Sequence, residues 1–174
     1  GYNAYLDLLA EKSGMAVSTF HDLISALQTR HDYFHSRGCR LSDHGLSNFQ
    51  IGQASSASVE KYFVKVRHGK ELKFEKIAAL ENAILLELAK MNHAKAWVQQ
   101  YHYGALRNNN SKMHQEIGPD SGFDSMSDLP NAPQMSRFFD RLNLQGKLAK
   151  TIIYNLNPND NYMLATMIGN FQDG

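Results

Sequence analysis

The sequence has little cysteine, no long apolar run and almost no net charge. Its one cysteine, Cys39, cannot form a disulfide within the chain, so we expect packing to stabilise the fold in a reducing, cytoplasmic setting. No run approaches the roughly 18 to 20 apolar residues of a membrane helix. The first residues also lack the basic-then-apolar order of a signal peptide. These absences predict a protein without a membrane partner.

The charges of the chain nearly cancel. There are 18 lysines and arginines against 17 aspartates and glutamates, which gives a net charge of +1. Such a balance provides no long-range field to attract nucleic acid, so we expect no nucleic-acid partner. The sequence also lacks a phosphate-binding glycine loop, a dinucleotide fingerprint, a nucleophile elbow and a zinc cysteine pattern.

Helical and strand patterns alternate along the 174 residues, which is typical of an α/β fold. Thr19 and Asp22 have the spacing of a capping box, and Gly38 is placed to end the helix that they begin. Residues 47–70 are ambiguous, with room for one short helix, and residues 104–133 are mostly loop. The predicted helices span 3–12, 19–37, 73–92, 134–143 and 158–168, and the predicted strands span 39–43, 96–103 and 151–156.

The three predicted strands are separated by long helical connections, which indicates parallel pairing. A parallel sheet of three strands would leave two open edges and unburied helix faces. Barrels of alternating strands and helices usually have eight strands and about 250 residues. We therefore interpret residues 1–174 as an internal segment of a single (β/α)8 (TIM) barrel domain. The abrupt start and end of the helical patterns at both termini agree with this interpretation.

The strand at 96–103 carries the most informative side chains. Side chains alternate between the two faces of a strand, and the aromatic side, with Tyr101 and Tyr103, suits the outer helices. Gln100 and His102 would then face the barrel interior, with His102 at the carboxyl end of its strand, where barrel active sites lie. The alternative for His102 is a buried histidine hydrogen-bonded to a neighbour.

Other candidates lie near the ends of the strands. Asp43 and His44 are adjacent, so only a bend at Gly45 would bring both to one site; the alternative is a hydrogen-bonded pair that terminates the strand. Arg107 follows in an asparagine-rich loop, and its planar guanidinium suits a carboxylate. Asn155 could face the barrel interior, whereas an ordinary role as a helix cap is expected for the nearby asparagine at 157.

A metal site is not evident from the residues themselves. His31 and His35 have the spacing of a metal pair on a helix, but the sequence offers no third ligand beside them. The aspartates of the long loop, at 120, 124 and 128, do not match calcium-loop spacing. No residue of this chain is therefore predicted to be a metal ligand.

Taken together, the motifs resemble uronate isomerase, also called glucuronate isomerase, in their sequence, order and spacing. The resemblance covers nearly the whole chain and is weakest at residues 47–75. The matching stretches are RHDYF (30–34), GCRLSDHGL (38–46), WVQQYHYGALRNNN (97–110), GPDSGFDS (118–125), KTIIYNLNP (150–158) and IGNFQ (168–172).

The resemblance implies a (β/α)8 barrel of the amidohydrolase type, with strands four to six and their helices present here. It implies isomerisation of D-glucuronate to D-fructuronate and of D-galacturonate to D-tagaturonate in bacterial hexuronate breakdown. His102 would be a catalytic residue, and Gln100, Arg107, Asp43, His44 and Asn155 would contact the hexuronate. A divalent metal, expected to be zinc, would have its main ligands outside this chain. The full-length enzyme is expected to be a homo-oligomer, and this segment alone to be inactive.

Two other functions remain open from the sequence. One is a different metal-dependent hydrolase of the same barrel type. A carbamylated lysine on the first strand of this chain would favour it, and the presence of Asp43 and His44 there instead counts against it. The other is a non-catalytic module that binds sugar acids. Binding of a uronate by this chain without any metal would support such a module.

Overall fold

The computed structural model describes residues 1–49 and 52–172 and has the expected α/β architecture. None of the helices in these residues is long and apolar enough to cross a membrane. In chain order the elements are α1 (Tyr2–Ser13), α2 (Phe20–Ser36), β1 (Leu41–Leu46), α3 (Ser56–Arg67), α4 (Phe74–Ala94), β2 (Val98–Tyr103), β3 (Ala105–Leu106), α5 (Ser111–Ile117), β4 (Ser125–Met126), α6 (Ala132–Asn143), β5 (Thr151–Asn155), a 3₁₀ turn (Pro158–Asp160) and α7 (Asn161–Ile168).

The strands β1, β2 and β5 form one parallel sheet with β2 in the centre. Asp43 of β1 lies beside Gln100 of β2, and His102 of β2 lies between Gly45 and Tyr154 of its two neighbours. Helical connections separate each pair of strands, which is the arrangement that parallel pairing requires. The predicted parallel pairing of the three strands is therefore confirmed.

One face of the sheet is covered by helices. Tyr101 and Tyr103 are almost completely buried there against an aromatic cluster centred on Phe49. Aromatic side chains of this size contribute large buried apolar areas and favour the edge-to-face contacts seen here. The cluster fixes which face of β2 points to the helices. Its other buried members are Leu86, Ala89, Met135, Phe138, Phe139 and Leu142.

A second apolar cluster joins α1, α2, α3 and α4. The capping box predicted for α2 is confirmed: the Thr19 hydroxyl accepts a hydrogen bond from the Asp22 backbone N–H, and the Asp22 carboxylate accepts one from the Thr19 N–H. Both contacts satisfy backbone donors that the first turn of a helix leaves unpaired. Local sequence therefore sets the start of α2.

The predicted boundaries of the first strand and of the last helix are wrong, and the last helix begins only at Asn161. The first strand continues through Gly45 to Leu46 because it pairs with β2 along its whole length. Residues 104–133 are mostly loop, as predicted, and they also contain α5 and a short antiparallel ribbon of β3 and β4. The short helix foreseen within 47–70 is α3, while residues 50 and 51 of that stretch lie outside the described residues.

Candidate active site

The face of the sheet opposite the helices carries polar side chains near the carboxyl ends of the strands. Along β2, the buried residues alternate with more accessible ones, so Gln100 and His102 share the helix-free face. Asp43 of β1 and Tyr154 of β5 lie on that same face. The sequence prediction for the direction of Gln100 and His102 agrees with this geometry, and four polar side chains therefore meet on one surface.

Asp43 and His102 form the closest polar contact of this surface. Carboxylate Oδ1 lies 2.7 Å from imidazole Nδ1, and each side chain is about half exposed. An ionised carboxylate can only accept, so the geometry favours a proton on Nδ1 and leaves Nε2 to face away from the carboxylate. Among residues 1–49 and 52–172, no hydrogen-bond partner contacts Nε2. A histidine held in this way can accept or donate a proton at Nε2.

The sequence prediction missed Tyr154. Its ring stacks on the His102 imidazole with centroids 4.4 Å apart and planes 8° apart. Its hydroxyl oxygen accepts a long hydrogen bond from Gln100 Nε2 at 3.4 Å. The available signal was the alternation of side chains along β5, which places Ile152 and Tyr154 on one face and Thr151 and Ile153 on the other. The sequence alone does not say which of these two faces meets the helices.

His44 lies on the other face of the sheet from Asp43. Its imidazole stacks on Tyr101 of the helix-side core, with centroids 5.8 Å apart. Burial holds the pKa of His44 below its ordinary value, and the neighbouring Asp43 carboxylate opposes this shift. The bend at Gly45 that would unite the two side chains does not occur, because β1 stays extended through that position. His44 therefore does not join the Asp43 and His102 surface.

Asn155 also lies on the helix side, contrary to the expectation that it faces the barrel interior. It shares its lane with Ile153, which packs against the aromatic cluster. Its amide Nδ2 donates to the Asn157 carbonyl and to Asn161 Oδ1, at 2.7 and 3.0 Å. These contacts organise the turn after β5. The Asn157 side chain caps that turn by accepting from the Asn159 N–H, although it begins a 3₁₀ turn rather than the helix that was predicted there.

Arg107 is held by an ion pair within its loop. Its Nη1 donates to Asp124 Oδ2 at 2.7 Å, while Asp124 Oδ1 accepts from the Asn108 backbone N–H at 2.9 Å. The Asn108 N–H and the Arg107 guanidinium together hold the pKa of the Asp124 carboxyl below its usual value. The Arg107 side chain is 63% exposed. Its guanidinium group therefore still offers N–H donors to a ligand at the surface.

No metal centre is formed by the described part of the chain. No three His, Cys, Asp or Glu side chains within 1–49 and 52–172 lie close enough together to hold an ion. Asp43 and His102 supply two donors, one fewer than the three protein ligands of a typical catalytic zinc site. By themselves these residues therefore do not fit a zinc ion.

The helical histidines that have metal-pair spacing have structural partners. His31 bonds to Asn92 at 3.1 Å and stacks on Trp97, with centroids 3.9 Å apart. His35 Nδ1 accepts from Trp97 Nε1 at 2.9 Å. These contacts join α2 to α4 and to the start of β2.

The sequence has close relatives among curated proteins. A family model described as glucuronate isomerase matches residues 1–174. The chain is 51% identical to the uronate isomerase of Cellvibrio japonicus and 50% identical to that of Bacteroides thetaiotaomicron, in each case over 99% of its length. It spans 37% of the length of each of these relatives.

Solved structures give the same assignment. The fold matches uronate isomerase from Thermotoga maritima with a TM-score of 0.91 and 28% identity, covering 98% of this chain and 38% of that one. It also matches glucuronate isomerase from Caulobacter crescentus with a TM-score of 0.79 and 25% identity, covering 90% and 32%. The family match over every residue, the identity of about half to curated relatives and the shared fold all agree, and the chain belongs to the glucuronate isomerase family.

Proposed function

We propose that this chain provides strands four to six, with their helices, of the (β/α)8 barrel of a uronate isomerase. Two observations support this arrangement: a parallel sheet covered by helices on one face, and a fold match to 38% of the Thermotoga maritima enzyme. In such a barrel the helix-free face of β1, β2 and β5 is the interior. The carboxyl ends of the strands, where Asp43 and His102 lie, form the side on which barrel active sites are built.

The proposed reaction is the interconversion of an aldose and a ketose uronate. D-glucuronate would give D-fructuronate, and D-galacturonate would give D-tagaturonate. A base removes the proton from C2 while O1 gains a proton, which forms an enediol. O2 then loses its proton and C1 gains one, so the number of protons is unchanged. A site for this reaction needs a group that moves protons between O1 and O2.

The observation that carries the proposal is the 2.7 Å contact between Asp43 and His102. With Nδ1–H held by the carboxylate, Nε2 of His102 can donate a proton to O1 as the enediol forms and take one back from O2 as the ketose forms. Asp43 keeps the imidazole in the required tautomer and fixes the direction of Nε2. Gln100 can donate to a hydroxyl from the same face, and Arg107 can bind the hexuronate carboxylate.

The base that acts at C2 and the main ligands of a divalent metal, expected to be zinc, would come from residues outside this chain. We place the enzyme in the cytoplasm, in keeping with its lone free cysteine, Cys39. We also propose that the full-length protein is a homo-oligomer and that it has no nucleic-acid or membrane partner.

Steady-state kinetics of the full-length protein test this function. His102→Gln should lower kcat for D-glucuronate by about 100-fold, and Asp43→Asn by about tenfold, because general acid–base groups contribute roughly 10²–10⁴ in rate. The matched control is His114→Gln, an exposed histidine on α5, which should leave kcat unchanged. Full activity of His102→Gln would refute the role of His102. Isomerisation by the isolated 174 residues would refute the assignment of the remaining machinery to other segments.

A further inference from the structure

We propose that Tyr154 is a positioning residue for His102, so that the imidazole is oriented by two neighbours rather than by Asp43 alone. The inference rests on the proposed function, since it concerns the same histidine. Its basis is the stacking of the Tyr154 ring on the imidazole, with centroids 4.4 Å apart and an angle of 8° between the planes. Asp43 holds the ring from a different direction, through Nδ1.

The strand register brings these two rings together. His102 and Tyr154 are paired neighbours on the parallel strands β2 and β5, and their side chains leave the sheet on the same face. Gly45 is the partner of His102 on the other neighbouring strand, and it offers no side chain to pack against the ring. Tyr154 is therefore the side chain on the adjacent strands that can define the plane of the imidazole.

A second restraint adds to the first, because one hydrogen bond leaves the imidazole plane free to turn about the line that joins Nδ1 to Oδ1. A partial rotation of the imidazole about its Cβ–Cγ bond would tilt the ring out of its present plane and turn Nε2 away from its present direction. A ring stacked nearly parallel on one face opposes that rotation, since the imidazole would have to leave the stack.

Gln100 gives the stacking residue its own support. Its amide Nε2 donates to the Tyr154 hydroxyl at 3.4 Å, the upper end of hydrogen-bond distances. The hydroxyl contact is therefore secondary, and the ring itself carries most of the effect. This difference predicts how two substitutions of Tyr154 should differ.

The test compares Tyr154→Leu with Tyr154→Phe in the full-length protein. Loss of the ring in Tyr154→Leu should lower kcat by about tenfold and change KM by less than about threefold, because the histidine is misdirected while substrate binding uses other groups. Tyr154→Phe keeps the stack and should restore kcat to within about threefold of the wild type. Tyr162→Leu removes an exposed tyrosine from α7 and should leave kcat and KM unchanged.

A spectroscopic measurement separates positioning from a general structural effect. Two-bond ¹H–¹⁵N spectra of ¹⁵N-histidine protein, with His102 assigned by its disappearance in His102→Gln, report which ring nitrogen carries the proton. The wild type and Tyr154→Phe should show the Nδ1–H tautomer, and Tyr154→Leu a mixture of tautomers. If Tyr154→Leu does not fold, Tyr154→Met removes the ring with an unbranched side chain of similar size.

The possible outcomes distinguish the two proposals. Unchanged kcat and an unchanged tautomer in Tyr154→Leu, in a protein that loses activity on His102→Gln, would overturn the positioning role and leave the proposed function intact. Mixed tautomers in the wild-type protein would also overturn it, without any Tyr154 variant. Full activity of His102→Gln would instead overturn the function of the site.

Discussion

The side chains of Asp43 and His44 lie on opposite faces of the sheet, although the residues are neighbours in sequence. Asp43 contacts His102 on the helix-free face, and His44 stacks on Tyr101 in the helix-side core. This division follows from the extended backbone of β1, in which successive side chains point in opposite directions. One dipeptide thus contributes a polar group to the candidate site and a half-buried ring to the helix side of the sheet.

The first prediction concerns the half-buried His44. Because its pKa is lowered in the folded protein, the unfolded chain binds the proton more readily, and stability falls as the pH drops below the unfolded value of about 6.5. His44→Phe keeps an aromatic ring on Tyr101 and removes this titration. Urea unfolding of the full-length protein between pH 7.5 and 5 should show a smaller loss of stability in the variant than in the wild type.

The control for this experiment is His114→Phe, which changes an exposed histidine of α5 and should leave the pH dependence as it is in the wild type. Equal losses of stability in the wild type and in His44→Phe would contradict the prediction.

The second prediction concerns a buried polar chain that crosses the sheet on the helix side. The Tyr101 hydroxyl donates to Gln99 Oε1 at 3.1 Å, and Gln99 Nε2 donates to Thr151 Oγ1 at 2.9 Å. Tyr101→Phe would leave the buried Gln99 oxygen without its donor, which costs about 1–3 kcal/mol. Chemical denaturation should measure that loss, whereas Tyr162→Phe, at an exposed position, should change stability by less than about 0.5 kcal/mol.

The third prediction concerns the close approach of Gly52 to α4. A Cβ atom at this position would overlap the backbone of Ala78 and Ala79, which cannot move without shifting the helix. Gly52→Ala should therefore destabilise the protein by at least about 2 kcal/mol, in the range of overpacked cores. The control is Gly169→Ala, whose Cβ would meet its nearest neighbour at an ordinary 3.5 Å. A melting temperature of Gly52→Ala equal to that of the wild type would contradict the close contact between Gly52 and the backbone of α4.

The fourth prediction concerns the loop that contains Arg107. Asp124 has a lowered pKa, so its contribution to loop order is present above the unfolded value of about 3.9 and is lost as the pH falls through the folded value. Asp124→Asn should weaken the contacts to Arg107 and to the Asn108 N–H at neutral pH. The Asn108 amide should then exchange with deuterium several-fold faster than in the wild type.

Asp120→Asn is the matched control for the loop, because Asp120 is exposed in the same segment and its left-handed backbone conformation suits asparagine. Its Asn108 exchange rate should equal that of the wild type. Unaltered exchange in Asp124→Asn would mean that the ion pair does not order the loop.

The direction of His102 could be predicted because β2 has two unlike lanes. One lane carries Tyr101 and Tyr103, and the other carries Gln100 and His102, so burial of the aromatic rings against helices decides the orientation. The two faces of β5 are not unlike in this way. Each of its lanes contains one isoleucine and at least one polar group, which is why Asn155 was expected on the wrong face and Tyr154 was overlooked.

The sequence by itself determined the alternation of helices and strands, the capping box of α2 and the faces of β2, because each depends on residues a few positions apart. Only the tertiary structure decided that Asp43 reaches His102, that Tyr154 stacks on it and that His44 turns into the core. Those contacts depend on strand register and on which lane of β1 and β5 meets the helices. Register joins residues more than fifty positions apart, and the packing of whole elements against one another fixes it.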